Sequence, residues 1–462
     1  MKYCSTRGKA PALGFEEAML AGLARDGGLY LPEAVPRFSA EEIADLHGLS
    51  YEEAAFRIML PFVGDDIGSR DFFEIVTSAY AGFGHKARAP LKQLDSGIFL
   101  MELFHGPTLA FKDFAMQLIG RLFEYSLGRS GRRICIAGAT SGDTGSAAIE
   151  AFRGLENVDV FILFPNGRIS EVQRRQMTTA IEGNVHALAL DGTFDDCQAR
   201  LKDMFNDLSF RDSVGLAGVN SINWARVLAQ VVYYFTSAAS LGAPHRKVSF
   251  TVPTGNFGDV FAGFIARRMG LDIDRLVVAA NQNDILHRCI RTGEYRPEDV
   301  KPSMSPSMDI QVSSNFERAL YYAYGRDGNC VAQLMDELRL GGFTVSQGAL
   351  HALREEFDSG RCGEDETIRV IRETHEKTGE LLCPHTAVGV KVAFENQRED
   401  VPMISLATAH PAKFPGAVQD ATNVCPPLPA HMRDLGEREE RVTEVGNNLD
   451  QIKSLIMERT GN

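Results

Sequence analysis

The chemistry this sequence could do gathers around one amine. Lys112 lies in His105-Gly106-Pro107-Thr108-Leu109-Ala110-Phe111-Lys112-Asp113, with Leu109, Ala110, Phe111 and Phe114 beside it. Apolar neighbours desolvate an amine, lower its pKa and make it a nucleophile fit to form a Schiff base with a carbonyl group. A lysine at a helix start is otherwise a solvated cation, mildly disfavoured by the positive end of the helix dipole. Both readings stay open on these residues alone.

Three loops rich in Gly, Ser, Thr and Asn could receive anions. Gly138-Ala139-Thr140-Ser141-Gly142-Asp143-Thr144-Gly145 has the glycine spacing of a P-loop but not the lysine that reaches nucleotide phosphates. It could simply be a turn that lets a helix pack on a strand. Its hydroxyls, set at a helix N-terminus with backbone N–H groups, also suit an anion. Pro253-Thr254-Gly255-Asn256-Phe257-Gly258-Asp259 follows an apolar strand and opens a helix, the setting of a phosphate cradle. In Asn220-Ser221-Ile222-Asn223-Trp224-Ala225-Arg226, two amides, a hydroxyl and an arginine could face one anion. Taken alone, Arg226 reads first as a surface cation.

The elements that must position these loops follow from the apolar pattern. Strands are expected at 98–103, 133–137, 158–163, 185–190, 215–219, 247–252, 276–280 and 403–407. Helical spacing at 114–127, 145–153, 170–181, 194–206, 222–240 and 259–269 separates most of them. Such alternation implies an α/β fold with parallel sheets covered by helices, and ligands beyond the carboxyl ends of the strands. Residues 1–95 read as a mostly helical domain. A large α/β domain is expected from 96–132 and 222–462, with a helical insertion at about 329–380, and a small α/β domain from 133–221. The charge-rich tail beyond Pro427 reads as a solvated surface helix.

Bulk composition narrows the function class. The chain has 462 residues, 44% hydrophobic and 24% charged, and a net charge of -13. Its length allows two or three domains, and its acidity argues against nucleic acid or an anionic membrane as partner. No apolar run reaches the roughly 18–20 residues of a membrane span, and the first residues lack the apolar stretch of a secretory signal. Eight cysteines without a CxxC pair give neither a zinc signature nor a disulfide framework, so a reducing cytoplasm is expected.

Several segments together resemble threonine synthase, in the longer form of many bacteria and fungi, within the tryptophan-synthase-like class of pyridoxal-phosphate enzymes. They are Tyr3-x-Ser5-Thr6-Arg7-Gly8, Asp26-Gly27-Gly28-Leu29-Tyr30, the Lys112 segment, Gly142-Asp143-Thr144-Gly145, the 253–259 loop and Ala407-Thr408-Ala409-His410-Pro411. The resemblance implies fold type II, a parallel-sheet two-domain fold, and pyridoxal 5′-phosphate held by Lys112. It implies a phosphate cradle at Gly255, Asn256, Phe257 and Asp259, with Gly258 in the same turn, and Thr408 facing the pyridine nitrogen. Asn220, Ser221, Arg226 and Thr144 would clasp the phosphate of O-phospho-L-homoserine, with Ser141 and Lys413 as further positions. Asp143 stands where the wider class commonly has asparagine. It would face the phenolic oxygen of the cofactor, one of the two oxygens keeping a proton, or turn away and leave that contact to a neighbour.

The implied reaction converts O-phospho-L-homoserine and water into L-threonine and phosphate in a monomer or homodimer. Two rivals share these motifs. One is a phospho-lyase ending in 2-ketobutyrate, the other a non-catalytic sensor of phosphorylated ligands.

Overall fold

The β/α rhythm after residue 97 folds as two separate sheets in two units. The computed structural model describes residues 1–218 and 221–460. One unit comprises Met1–Gly106 and Ser221–Pro426; the other takes in the described residues of 107–220 and 427–462.

The first unit is built on six strands in the order Asp358–Arg361, Ile273–Ala280, Val248–Pro253, Met403–Ala407, Ile98–Glu102 and Leu91–Gln93. All neighbours run parallel except the last pair. Helix Trp224–Ser240 is buried almost all round, and helices Gly258–Arg268 and Tyr51–Val63 pack on it. The N-terminal helices group with this unit. A two-stranded antiparallel ribbon, Tyr3–Ser5 with Tyr30–Pro32, accompanies them.

The second unit carries five parallel strands in the order Thr443–Val445, Val185–Leu190, Val158–Pro165, Ile134–Ala139 and Leu216–Ala217. Strands 158–165 and 185–190 are buried along their whole length, as the predominantly apolar central strands of a parallel sheet should be. Helix Lys112–Ser130 packs on helix Asp143–Phe152, and a Cβ at Gly120 would collide with the Ala151 carbonyl oxygen. That close approach explains why residues 107–132 group with this sheet and not with the first.

The tail corrects the sequence reading. Residues 443–445 add an edge strand to the second sheet, and helix Leu449–Thr460 fully buries Ile452 and Ile456. Both enter a core with Cys135, Phe161, Leu188, Cys197 and Met204. One apolar stripe, four residues apart, was hidden among Asp450, Lys453, Glu458 and Arg459. Ile452→Ala should lower the stability of this unit by about 2–5 kcal/mol, measured by hydrogen exchange in strand 185–190.

His186 makes the same unit acid-sensitive. It is 9% exposed, stacks on Phe161 at 4.4 Å and has Nδ1 3.1 Å from an Arg459 Nη. Burial, then Arg459, pulls its pKa down to about 4 from 6.5. Native His186 stays neutral while the unfolded chain takes a proton, so stability is lost as pH falls from 6.5 towards 4. His186→Gln removes this contribution, and the thermal midpoint of the variant should fall less than that of the parent across the same interval.

Candidate active site

Lys112 is the first residue of helix Lys112–Ser130 and only 8% exposed. The turn before it is fixed from both sides. Leu109 adopts φ +64°, and Asp113 accepts hydrogen bonds from the Thr108 N–H at 2.8 Å and its hydroxyl at 2.6 Å. Gln176 Nε2 donates to the Thr108 carbonyl at 3.1 Å. The amine lies 5.7 Å from the centre of the Phe111 ring and 3.5 Å from Asp143 Oδ2. Of the two readings of Lys112, burial favours the reactive one.

Asp143 opens the helix after strand Ile134–Ala139 and is itself buried. Its Oδ1 accepts from Gln173 Nε2 at 2.9 Å, so both oxygens are oriented and the carboxylate faces the lysine. The preceding loop is held by Thr140, whose hydroxyl accepts from the N–H groups of Gly142 and Gly145, each at 2.9 Å. Ser141 in this loop and Thr144 in the first turn of the helix are half-buried. Asn220 lies outside the described residues.

The first unit carries the other candidates. After strand Val248–Pro253 the chain turns through Phe257 at φ +64° into helix Gly258–Arg268. The N–H groups of its first turn have no acceptor within the helix and lie at its positive end. A Cβ at Gly255 would stand 2.8 Å from the Ser307 carbonyl oxygen, which leaves no room for a side chain. The Asp259 carboxyl points away from the turn: Oδ1 accepts from Tyr233 at 2.6 Å and Tyr234 at 3.0 Å. Burial raises its pKa to about 7. Oδ1 is thus committed to the two tyrosines, and Oδ2 is buried without a hydrogen-bond partner among the described residues.

The sequence reading missed residues 313–315, which hold the cradle from behind. Ser313 Oγ donates to the Gly255 carbonyl at 2.6 Å, and Ser314 Oγ donates to Asn256 Oδ1 at 3.1 Å. Asn315 Nδ2 donates to the carbonyls of Asn256 at 3.0 Å and Ser221 at 3.1 Å. Carbonyls tied back in this way leave the N–H groups to face a ligand. Arg318, fully buried, donates to Asn315 Oδ1, to the Tyr30 carbonyl at 2.8 Å and to the Ile222 carbonyl at 2.6 Å. The N-terminal signature enters the same scaffold, because Thr6 and Arg7 both donate to Glu317 Oε1, at 2.6 and 3.0 Å.

Arg226 is 4% exposed, so the surface-cation reading does not hold. Desolvation pulls its pKa down to about 10, and Tyr233 pushes the other way. Ser221 Oγ stands 3.3 Å from Ser314 Oγ, and Lys413 is fully buried in the segment Pro411–Lys413. Thr408 follows strand Met403–Ala407; its N–H donates to Thr386 Oγ1 at 3.2 Å. Its own hydroxyl is buried without a hydrogen-bond partner among the described residues. His410 Nδ1 accepts from the Ala412 N–H at 3.1 Å, which accounts for the histidine of that motif. Asn315→Asp turns a donor to two carbonyls into an acceptor. Binding of a phosphate-bearing ligand should weaken by about tenfold or more, as equilibrium dialysis of the variant against the parent would read.

Comparison with known proteins agrees with these features. Family models match in three consecutive stretches: threonine synthase N terminus at residues 2–80, pyridoxal-phosphate dependent enzyme at 85–332, and threonine synthase, C-terminal at 386–456. A threonine synthase of Pseudomonas aeruginosa is 54% identical over 99% of this chain and 98% of its own length. The crystal structure of pyridoxal-phosphate-bound threonine synthase from Brucella melitensis superposes with a TM-score of 0.98, at 56% identity and full coverage of both chains. The yeast threonine synthase structure gives 0.95 at 39% identity, covering 100% of this chain and 99% of its own. The chain belongs to the threonine synthase family of pyridoxal-phosphate-dependent enzymes.

Proposed function

We propose that this enzyme converts O-phospho-L-homoserine and water into L-threonine and phosphate, with pyridoxal 5′-phosphate joined to Lys112. The residues fit that cofactor. Lys112 offers a buried amine, the 255–259 turn offers N–H groups at a helix start, and Thr408 offers a buried hydroxyl without a hydrogen-bond partner among the described residues. A neutral hydroxyl suits a pyridine nitrogen that keeps its proton weakly. Bound there, the cofactor supplies an electron sink for carbanions.

The protein's own groups do the rest. The free Lys112 amine would take the proton from Cα and is the group placed to return one. Asp143 Oδ2 lies 3.5 Å from that nitrogen and orients it between transfers. Arg226 and Ser221 are assigned to the leaving phosphate, with Lys413 as a further position; Thr144, Ser141 and Asn220 are the other residues assigned to substrate. Loss of phosphate from Cγ takes a second proton, from Cβ; Cγ must then regain a proton before water adds at Cβ, so the substrate has to be held still beside a group that both accepts and returns protons.

The observation that carries the reading is the burial of Arg226 at the start of helix Trp224–Ser240. A buried guanidinium beside a helix N-terminus is an anion site additional to the 255–259 turn. A substrate phosphate and a cofactor phosphate together account for two such sites. Lys112→Ala should lose both the visible absorbance of the bound cofactor and phosphate release. Arg226→Gln should raise KM for phosphohomoserine by about 100-fold while cofactor affinity stays within a few-fold. Amino-acid analysis of the product decides between threonine and 2-ketobutyrate; the ketoacid as main product would overturn the synthase assignment.

A further inference from the structure

Gln173 belongs to two structures at once. It is the third residue of helix Glu171–Thr178, and its side chain closes a capping box: Oε1 accepts from the Ser170 N–H at 3.3 Å, while Ser170 Oγ accepts from the Gln173 N–H at 3.2 Å. Its Nε2 donates to Asp143 Oδ1 at 2.9 Å, and Asp143 Oδ2 is the oxygen 3.5 Å from the Lys112 amine. Helices 143–152 and 171–178 follow neighbouring parallel strands, so the two loops meet beyond the same carboxyl ends.

We propose that Gln173 is a positioning residue for the Lys112 amine, acting through Asp143. It rests on the assignment of Lys112 as the cofactor-bearing lysine.

Residue choice supports this role over a merely structural cap. A capping box accepts Glu or Gln at this position, and the helix dipole favours Glu. Other boxes in the chain are closed by acids, among them Glu42, Glu53 and Asp196. Only the amide can cap with its oxygen and still donate to a carboxylate with its nitrogen. The space it occupies is also reserved. Gly142 adopts φ +134°, and a Cβ there would collide with the Gln173 carboxamide. Gln173 is 2% exposed, so the bond to Asp143 is dry and sets which carboxylate oxygen faces the lysine.

The test is a pH titration of the visible absorbance of bound cofactor in the full-length enzyme, which reports protonation of the Lys112 nitrogen. Without the donor, the Asp143 anion is less favoured and its pull on a positive nitrogen weakens. Gln173→Met should therefore lower the titration midpoint by about one pH unit. Gln173→Glu keeps shape and cap but sets two carboxylates together, and should split the titration into two coupled steps. Ser170→Ala, which removes the cap and spares the Asp143 contact, should lower thermal stability and leave the titration unmoved. Borohydride reduction followed by peptide mapping identifies the modified lysine in each protein. Titrations of both Gln173 variants that coincide with the parent, on cofactor mapped to Lys112, overturn the positioning role alone. Label on another lysine in the parent overturns the Lys112 assignment and this proposal with it.

Discussion

A positive charge taken out of water must be met by fixed partners, and the second unit is arranged around that requirement at Lys112. The amine is only 8% exposed, and a buried ammonium left without a partner would be costly. Asp143 meets the charge at 3.5 Å. Asp143 is itself buried, so the cost moves outward to the groups that hold it. Gln173 donates to it, Thr140 pins the loop before it, and the positive φ of Gly142 makes room for the donor. Each partner lies on a loop leaving one of two adjacent parallel strands, so register of the sheet fixes the spacing of the charges.

In the first unit the proposed anion sites pose the opposite problem, room for negative charge. Its means are backbone N–H groups and buried guanidinium groups rather than exposed lysines, which agrees with a chain of net charge -13. Arg318 draws in three backbone or side-chain oxygens from segments far apart in sequence: Tyr30, Ile222 and Asn315. Replacing it with a shorter cation would satisfy some of these and orphan the rest, because the planar fork is what reaches all of them. The N-terminal ribbon is thus a buttress for the anion loops and not an appendage.

What the sequence made legible was whatever repeats locally. Strand Val185–Leu190 is an apolar run interrupted only by His186, and helix Phe194–Asn206 has a clear stripe behind a Thr193 cap; both were bounded correctly. The 253–259 turn was legible because Gly and Asn between a strand and a helix have few other uses. Asn315, Arg318 and Gln173 were not, because their meaning lies in partners between 30 and 288 residues away. Arg226 misled for a related reason: a cation near a helix start is ordinarily solvated, and only the burial of its helix on all sides removes that option. Strand Thr443–Val445 has three residues, too few for a period to show.

That short strand has a consequence for synthesis on the ribosome. The second sheet is begun at residue 134 and cannot be finished until residues 443–460 exist, after the whole 221–426 portion of the first unit has been made. Through that interval strand Val185–Leu190 has an open edge, and Cys197, Leu201 and Met204 lack the isoleucines that cover them. An open edge beside an uncovered apolar face is the kind of surface that chaperones bind and that misassembles when they do not. Chains that stop short of the last helix would therefore be marked by an exposed core, and quality control would see them before catalysis could.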